Sequence, residues 1–584
     1  MAEYKVSDYV VDHLEAEGVT CAYELAGGML AHLLDSFALR RTVRLVSMHH
    51  EQGAGFAAEG HARMTGVPGV ALATSGPGAT NLLTAMGSCY FDSTPAVFLT
   101  GQVNRHELKG DRPIRQLGFQ ETDIVAMARP ISKGAWRAGA GEEVPGLLAR
   151  AFELARGGRP GPVLLDLPMD VQRLTVEAPP PARRERPGPR PERVPASSVD
   201  DLLAALRRSE RPLLLAGGGI RSGGAGALFA RAAERLGIPV VHSLMGRDAL
   251  PFEHPQSFGM IGSYGNRWAN HALGECDLLL VVGSRLDIRQ TGTDTEGLAR
   301  RPIFQVDCDP GEMNNRVRGV HAVCADVKDF LAALLAAAPA PRPVPAWFAH
   351  LAELRARWPD EAELAGAPGL NPNRFLRRLG AASRAAAAFV VDVGQHQMWA
   401  GQSLAFAEGQ RFLTSGGMGA MGFALPAAVG ASFACPGRPI LAVAGDGGFQ
   451  LNVQELQTVA THRLPLKLVV LNNRCHGMVR QFQESYFEGR YQSTVDGYDA
   501  PDFARVAAAY GLPSRRLDGT LEQGEAARDA AAAEALAWLW SDPSSPALLE
   551  VLLPIGTNVY PKLAFGRPIT EMEPLAKPLE MEGT

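Results

Sequence analysis

Residues 439–448 read PILAVAGDGG and residues 466–473 read LKLVVLNN. Each stretch is a short, mostly apolar run that ends in polar residues. Gly445-Asp446-Gly447-Gly448 follows Pro439 to Ala444, and Asn472-Asn473 follows Leu466 to Leu471; positions 448 to 471, 24 residues, separate the GDG from the NN. Such runs read as strands buried on both faces of a parallel sheet. A carboxylate at a strand end, beside glycines that let backbone approach, suits a hard cation held by oxygens. Mg2+ takes one or two carboxylates together with substrate phosphates. An Asn carbonyl arriving at the next strand end completes that set, and open α/β sheets bind ligands at the carboxyl ends of their strands. Either element alone reads as a turn; the pair, at this spacing, specifies a site.

The same pattern extends outward along the chain. Val70 to Thr74, Ala96 to Thr100, Pro212 to Ala216, Pro239 to His242 and Ala387 to Val391 are further buried strands, alternating with helical segments such as Ala225 to Leu236. Two Pro-rich stretches, Pro179 to Ala196 and Ala338 to Ala346, interrupt this alternation and read as solvated linkers. The predicted fold is α/β, with three doubly wound parallel-sheet domains at residues 1–178, 197–337 and 347–575. At a prior of ~150 residues per domain, a length of 584 residues suggests roughly four domains or three larger ones, and the linkers favour three.

Composition narrows the class. Hydrophobic residues at 46% and charged residues at 20% exclude wholesale disorder. Runs such as Leu278 to Val282 fall far short of the ~20 residues that span a bilayer, so no integral membrane protein is expected. A net charge of −5 gives no electrostatic reason to expect nucleic acid. The seven cysteines, at 21, 89, 276, 308, 324, 435 and 475, form no CxxC pair. They argue against a zinc site or disulfide framework and for a reducing, cytoplasmic location. The N-terminus lacks a basic segment followed by an apolar one and is not a secretory signal.

Five longer stretches are more specific. They are HHEQGAGFAAEGHARMTGVPGVALATSGPGATN (49–81), FQETDIVAMARPISKG (119–134), DVGQHQMWAGQ (392–402), TSGGMGAMGFALPAAVGA (414–431) and NNRCHGMVRQFQ (472–483). Together with the GDG…NN pair, in order from about residue 4 to 575, they resemble the acetolactate (acetohydroxyacid) synthase family of thiamine-diphosphate enzymes.

The resemblance implies a set of roles. Glu51 corresponds to the glutamate that hydrogen-bonds N1′ of the cofactor's aminopyrimidine and promotes loss of the C2 proton; His49 and His50 beside it read as packing or supporting groups. Gln395 and His396 match positions at the diphosphate. Asp446, Asn473 and the backbone carbonyl of Cys475 are the implied Mg2+ ligands. Gly419 offers a carbonyl to the 4′-amino group, and Met421 is the apolar wedge between the rings. Gly28, Pro77, Gly447, Gly448 and Met478 are carried over as cofactor contacts, and Gln120 and His476 as catalytic positions. Gly283 to Arg289 stands where flavin-containing synthases show GxRFDDR, with Leu286 and Ile288 in place of Phe and Asp. FAD as a structural cofactor, contacted by Arg285, Asp287 and Asp307, is one expectation there, and a flavin-free domain the other.

On the acceptor side Arg289 corresponds to an arginine that receives a carboxylate, a task suited to its planar fork. Phe119 and Gln120 match active-site positions. Phe482 stands where the family typically has Trp, Met29 where a small Ala is usual, and Met169 where DxPKD has Lys. The implied activity is a carboligase that decarboxylates pyruvate and adds the remaining two-carbon unit to a second carbonyl, a 2-oxoacid. The alternatives are the same donor with an aldehyde, ketosugar or other ketone as acceptor, a 2-oxoacid decarboxylase, or an oxidase. The decarboxylases' His pair is represented only by His106. A non-enzymatic scaffold would be expected to lack Glu51, Asp446 or Asn473, and all three are present. A homodimer or homotetramer is implied, and any amino-acid sensor is expected on a separate regulatory subunit.

Overall fold

A computed structural model describes residues 2–182, 190–337, 343–521 and 524–581. Three six-stranded sheets, parallel throughout, follow one another along the chain. The first has the spatial order Arg44–Ser47, Cys21–Leu25, Gly69–Ala73, Ala96–Gln102, Pro162–Pro168, Gly134–Arg137, which is 2-1-3-4-6-5 in chain order. The third, Arg411–Thr414, Ala388–Val391, Ile440–Gly445, Leu466–Asn472, Ala547–Leu552, Ser514–Asp518, repeats that order. The central sheet differs. It runs Ser257–Met260, Val240–His242, Pro212–Ala216, Leu278–Val282, Ile303–Asp307, His321–Cys324, or 3-2-1-4-5-6, the order of dinucleotide-binding folds. Each sheet reverses direction of growth beside its first strand, and that reversal opens a crevice at the carboxyl ends.

The strands are apolar because helices cover both of their faces. Lys467 breaks the rule within a fully buried strand, and it does so with partners. Its amine donates to the carbonyls of Asp542 and Ser545, both at 2.6 Å, and burial lowers its pKa to about 8.

One apolar core runs from the first sheet into the third. Its centre is the crossing of helix Glu51–Thr65 on helix Ala424–Ala434, both rich in Gly and Ala. A Cβ added at Gly60 would lie 2.1 Å from the Ala427 carbonyl oxygen, and one at Gly430 would lie 1.8 Å from that of Ala57. Phe56 meets Phe423 edge to face, centroids 5.5 Å apart, and closes one side of the crossing.

Both Pro-rich stretches are only partly described, residues 183–189 and 338–342 lying outside the described set. The second is shorter than its composition suggests. Helix Pro345–Arg357 begins inside it, because proline fits the first turn of a helix, where its missing N–H is not needed. No helix among the described residues is long and apolar enough to cross a membrane.

Ala at position 60 or 430 should therefore drive two helices apart. Each substitution is expected to cost about 1–3 kcal/mol, read as a lower denaturant midpoint, whereas Ala at Gly146, where a Cβ meets nothing within 4 Å, should be nearly neutral.

Candidate active site

Strands Ala388–Val391 and Ile440–Gly445 flank the reversal point of the third sheet. The first leads into helix Gln395–Ser403, the second into helix Asp446–Leu451, and the next strand, Leu466–Asn472, delivers Asn473. Three strand ends thus bring Gln395, Asp446 and Asn473 to one crevice. Asp446 is 4% exposed and burial pushes its carboxyl up to about 6. Its Oδ2 accepts from the Tyr498 hydroxyl at 3.2 Å, and the Tyr498 ring lies 4.1 Å from that of His476. Asn473 donates its Nδ2 to Gln395 Oε1 at 2.9 Å, which orients its own amide oxygen. Gln395 in turn donates to Gln481 at 3.2 Å. Gly477 is required here, since a Cβ would lie 2.0 Å from Gln395 Oε1.

His396 is buried and pushed down to about 3 by that burial, so it is neutral; its Nε2 accepts the Gly445 N–H at 3.2 Å. The Cys475 thiol is pushed up to about 12 by burial and points to the Ile555 carbonyl. The thiol is therefore protonated at neutral pH, and the Cys475 backbone carbonyl is the donor that the family resemblance implies. No group of three or more His, Cys, Asp or Glu among the described residues could cage a metal. One carboxylate, one amide oxygen and one backbone carbonyl instead fit a hard cation that completes its shell with phosphate oxygens.

Loop 415–422 lies beside this crevice. Gly419 and Gly422 adopt left-handed φ of +66° and +81°. The Met421 methyl would be 3.2 Å from a Cβ on Gly447, as would the His476 ring at 2.9 Å, so Gly447 sits between them. Asp392, 1% exposed, accepts the N–H groups of Val393, Gly422 and Ala424 and so ties the far end of the loop to a strand end.

A second cluster stands at the carboxyl ends of the first sheet. Glu51 is the first residue of its helix, behind an N-cap in which His50 Nδ1 accepts the Gln52 N–H at 3.0 Å. Its carboxylate is 7% exposed and accepts from Asn81 Nδ2 at 2.9 Å, next to the turn opened by Pro77. Gly28 and Met29 form a short 3-10 turn, fixed by Met29 N–H to Thr74 Oγ1 at 3.3 Å. Gln120, at φ +66°, packs against Gly76, while Phe119 is 78% exposed. Met169 opens the short helix Met169–Gln172, and His106 lies exposed in a surface turn. Among the described residues no hydrogen bond joins the Glu51–Asn81 pair to Asp446, Asn473 or Gln395.

The third cluster belongs to the central sheet. Gly217 and Gly219 abut Gly283 so closely that a Cβ on Gly217 would lie 2.0 Å from the Gly283 carbonyl oxygen. A cleft of about 1030 Å³ extends from this backbone cradle past Arg221, Arg285, Asp287 and Asp307 to Met418 and Gly419. Arg285 pairs with Asp287 at 3.3 Å, Asp287 accepts the Arg289 N–H, and burial raises the Asp307 carboxyl. Arg289 opens onto the same cleft with its guanidinium 5.4 Å from the Tyr264 ring. Phe482 packs on Tyr486 and Phe487, and Met478 packs against the apolar core of the third sheet.

Residues 4–127, 199–334 and 392–551 match, in that order, the N-terminal TPP binding, central and C-terminal TPP binding domains of thiamine pyrophosphate enzymes. The acetolactate synthase of Mycobacterium bovis is 35% identical over 573 residues, 97% of this chain and 90% of that protein. The acetolactate synthase isozyme 2 large subunit of Escherichia coli is 37% identical over 573 residues, 97% and 98% of the two chains. A probable acetolactate synthase large subunit of Methanocaldococcus jannaschii is 37% identical over 525 residues, 88% and 87%. The chain belongs to the acetolactate synthase family.

As a member of that family it binds thiamine diphosphate. Several residues of this synthase-family site gave no sign in the sequence, Tyr498 among them, while Asp392 opens the stretch 392–402 without a role of its own being read there. Glu455 is another: fully buried on the third domain, it accepts the His49 N–H at 3.1 Å just ahead of Glu51, and Thr458 Oγ1 at 2.8 Å. The Glu in VQELQ (453–457) follows no motif read above.

Burial raises Glu455 to about 7 from the usual 4.5. The folded protein therefore holds this proton more tightly than the unfolded chain does. The group's contribution to stability is fully present below pH 4.5, falls as the pH rises to about 7 and is level above that. Glu455→Gln should flatten this decline, so that its unfolding midpoint drops less between pH 5 and pH 8 than that of the wild type, as measured by thermal melts of apo protein.

Proposed function

We propose that the protein is a carboligase that joins the two-carbon unit of pyruvate, after loss of CO2, to a second 2-oxoacid. The observation that carries this reading is a pair of half-sites on two sheets of identical strand order. One presents a buried carboxyl on a helix start, Glu51; the other presents Asp446, Asn473 and Gln395 at a sheet reversal. When bound, thiamine diphosphate supplies a carbon nucleophile for the donor ketone and an electron sink for decarboxylation.

The chain's residues do the rest. Glu51, oriented by Asn81, holds a proton at N1′. Gly419 offers its carbonyl to the 4′-amino group, Met421 separates the two rings, and Gly28, Pro77, Gly447, Gly448 and Met478 complete the binding surface. Asp446, Asn473 and the Cys475 carbonyl would hold Mg2+, with Gln395 and the neutral His396 beside the diphosphate. Gln120 and His476 border the reacting atoms, Arg289 receives the acceptor's carboxylate, and Met29, Phe119 and Phe482 shape the acceptor's surroundings. FAD fits the central cleft by its glycine cradle and volume, with Arg285, Asp287 and Asp307 as contacts; acetolactate formation needs no net redox, so its role would be structural. Among the described residues no hydrogen bond joins the two half-sites, which supports a homodimer or larger homo-oligomer completing the site across subunits; a cytoplasmic location, argued from the unpaired cysteines, belongs to the same reading. A separate regulatory subunit is part of the same reading.

A second reading keeps the donor and changes the acceptor to an uncharged carbonyl. It is favoured by Phe482, which packs on its own aromatic neighbours, and by Arg289, whose guanidinium faces the Tyr264 ring.

Glu51→Gln should still quench tryptophan fluorescence on binding thiamine diphosphate but slow exchange of the cofactor's C2 proton by about 100-fold or more, the usual scale of a lost acid–base group. Exchange within a few-fold of wild type would remove Glu51 from that role. Incubation with pyruvate, thiamine diphosphate, Mg2+ and an acceptor panel, with products identified by mass spectrometry, tests the reaction itself. Arg289→Ala is expected to reduce ligation to 2-oxoacids about tenfold or more, while sparing uncharged carbonyls. Equal losses for every acceptor would favour the second reading.

A further inference from the structure

The loop that carries Gly419 and Met421 is exposed over residues 416–419, yet its path is fixed from the opposite domain. Both oxygens of Asp92 are used: Oδ2 accepts the Gly416 N–H at 3.0 Å and Oδ1 the Gly417 N–H at 2.6 Å. Asp92 stands at the C-terminal end of helix Leu83–Phe91 in the first domain. Its side chain is 2% exposed, and Arg63 Nη2 donates to it at 2.8 Å. The same guanidinium donates to the Thr414 carbonyl at 2.6 Å and to Thr94 Oγ1 at 3.1 Å, and it pairs with Glu59, which is fully buried. Helix Leu83–Phe91 forms the rest of a cradle: Ser88 Oγ meets Ser415 Oγ at 3.2 Å, and Gly87 leaves room for Met418, whose sulfur would lie 2.7 Å from a Cβ there.

These contacts differ in kind from ordinary packing. A charge-assisted bond to a backbone N–H is worth roughly twice a neutral one, and here one carboxylate fixes two successive amides of a glycine pair. Gly417 itself must be glycine, since a Cβ would meet Phe91 Cβ at 2.8 Å and Asp92 Oδ1 at 3.0 Å. The far end of the loop is held by Asp392 on its own domain. Between the two carboxylates lie the residues read above as touching the cofactor.

We propose that Asp92, held by Arg63 and Glu59, is a positioning residue that presets the 416–421 loop for thiamine diphosphate. This rests on the reading that Gly419 and Met421 contact the cofactor. Asp92 acts only through the loop's backbone and touches no reacting atom.

Asp92→Asn is the suitable variant. Glu59, Asp92 and Arg63 carry two carboxylates to one guanidinium, so removing one charge leaves a balanced buried pair and the fold should persist. In apo protein, hydrogen exchange of the 415–419 amides should accelerate about tenfold, the effect of losing one charge-assisted hydrogen bond, with the Leu83–Phe91 helix as protected as in wild type. The Kd for thiamine diphosphate, from tryptophan fluorescence at saturating Mg2+, should rise about tenfold by the same measure, with a smaller loss of kcat once the cofactor saturates. Arg63→Lys keeps a cation beside Asp92 but loses the fork onto Thr414, and should show both effects more weakly. Unchanged loop exchange, or faster exchange with unchanged cofactor affinity, overturns the proposal; so does failure of both variants to fold, which would make the cluster purely structural. Met421→Ala separates the parent reading: if it leaves cofactor affinity intact while Asp92→Asn frees the loop, the loop is not the cofactor's and only the tether stands.

Discussion

The approach of helix Glu51–Thr65 to helix Ala424–Ala434 sets the distance between two domains that must cooperate. Backbone meets backbone at Gly60 against Ala427 and at Gly430 against Ala57, contacts that no side chain larger than hydrogen permits. Because Glu51 begins one of these helices and loop 415–422 immediately precedes the other, their separation governs where both lie. Glu455, Arg63 and Asp92 reach across the same seam and bond to backbone close to catalytic positions. An apolar contact gives the seam its strength, and the buried polar groups give it a single register.

The shared strand order of the first and third domains has a chemical use. Each opens a crevice beside its own first strand, and on the proposed reading the two crevices divide the labour, one placing the Glu51 carboxyl and the other the oxygen ligands for a cation. The central sheet, with its different order, places its crevice over a glycine cradle suited to a dinucleotide. On that reading three similar sheets would provide three different binding chemistries, decided by the residues that follow a few strand ends.

Much of the fold was legible because alternation of apolar runs with helices is a local signal. Pro212–Ala216 falls where the run places it, and Ile440–Gly445 and Leu466–Asn472 lie within a residue of their runs. The Pro345 helix start was missed because proline marks both linkers and first turns. Asp446 and Asn473 were legible because carboxylate and amide sit directly after strands. Asp92, Glu455 and Tyr498 were not: the first two act on backbone more than 300 residues away, and Tyr498 reaches back 52 residues to Asp446. Their own neighbours, as in FDSTP (91–95) and DGYDA (496–500), look like ordinary turns.

The neutrality of His396 has a thermodynamic consequence. Burial strips that imidazole of charge, and no lysine or arginine is among the groups that shift Asp446. A diphosphate entering this crevice meets polar amides and helix starts, and a carboxylate that repels it. A divalent cation held by the proposed ligands Asp446, Asn473 and the Cys475 carbonyl would alone meet one carboxylate and two neutral oxygens. On the proposed reading each ligand would supply the charge that the other lacks, and their affinities would be reciprocally coupled: whatever factor the cation adds to diphosphate binding, the diphosphate returns to the cation.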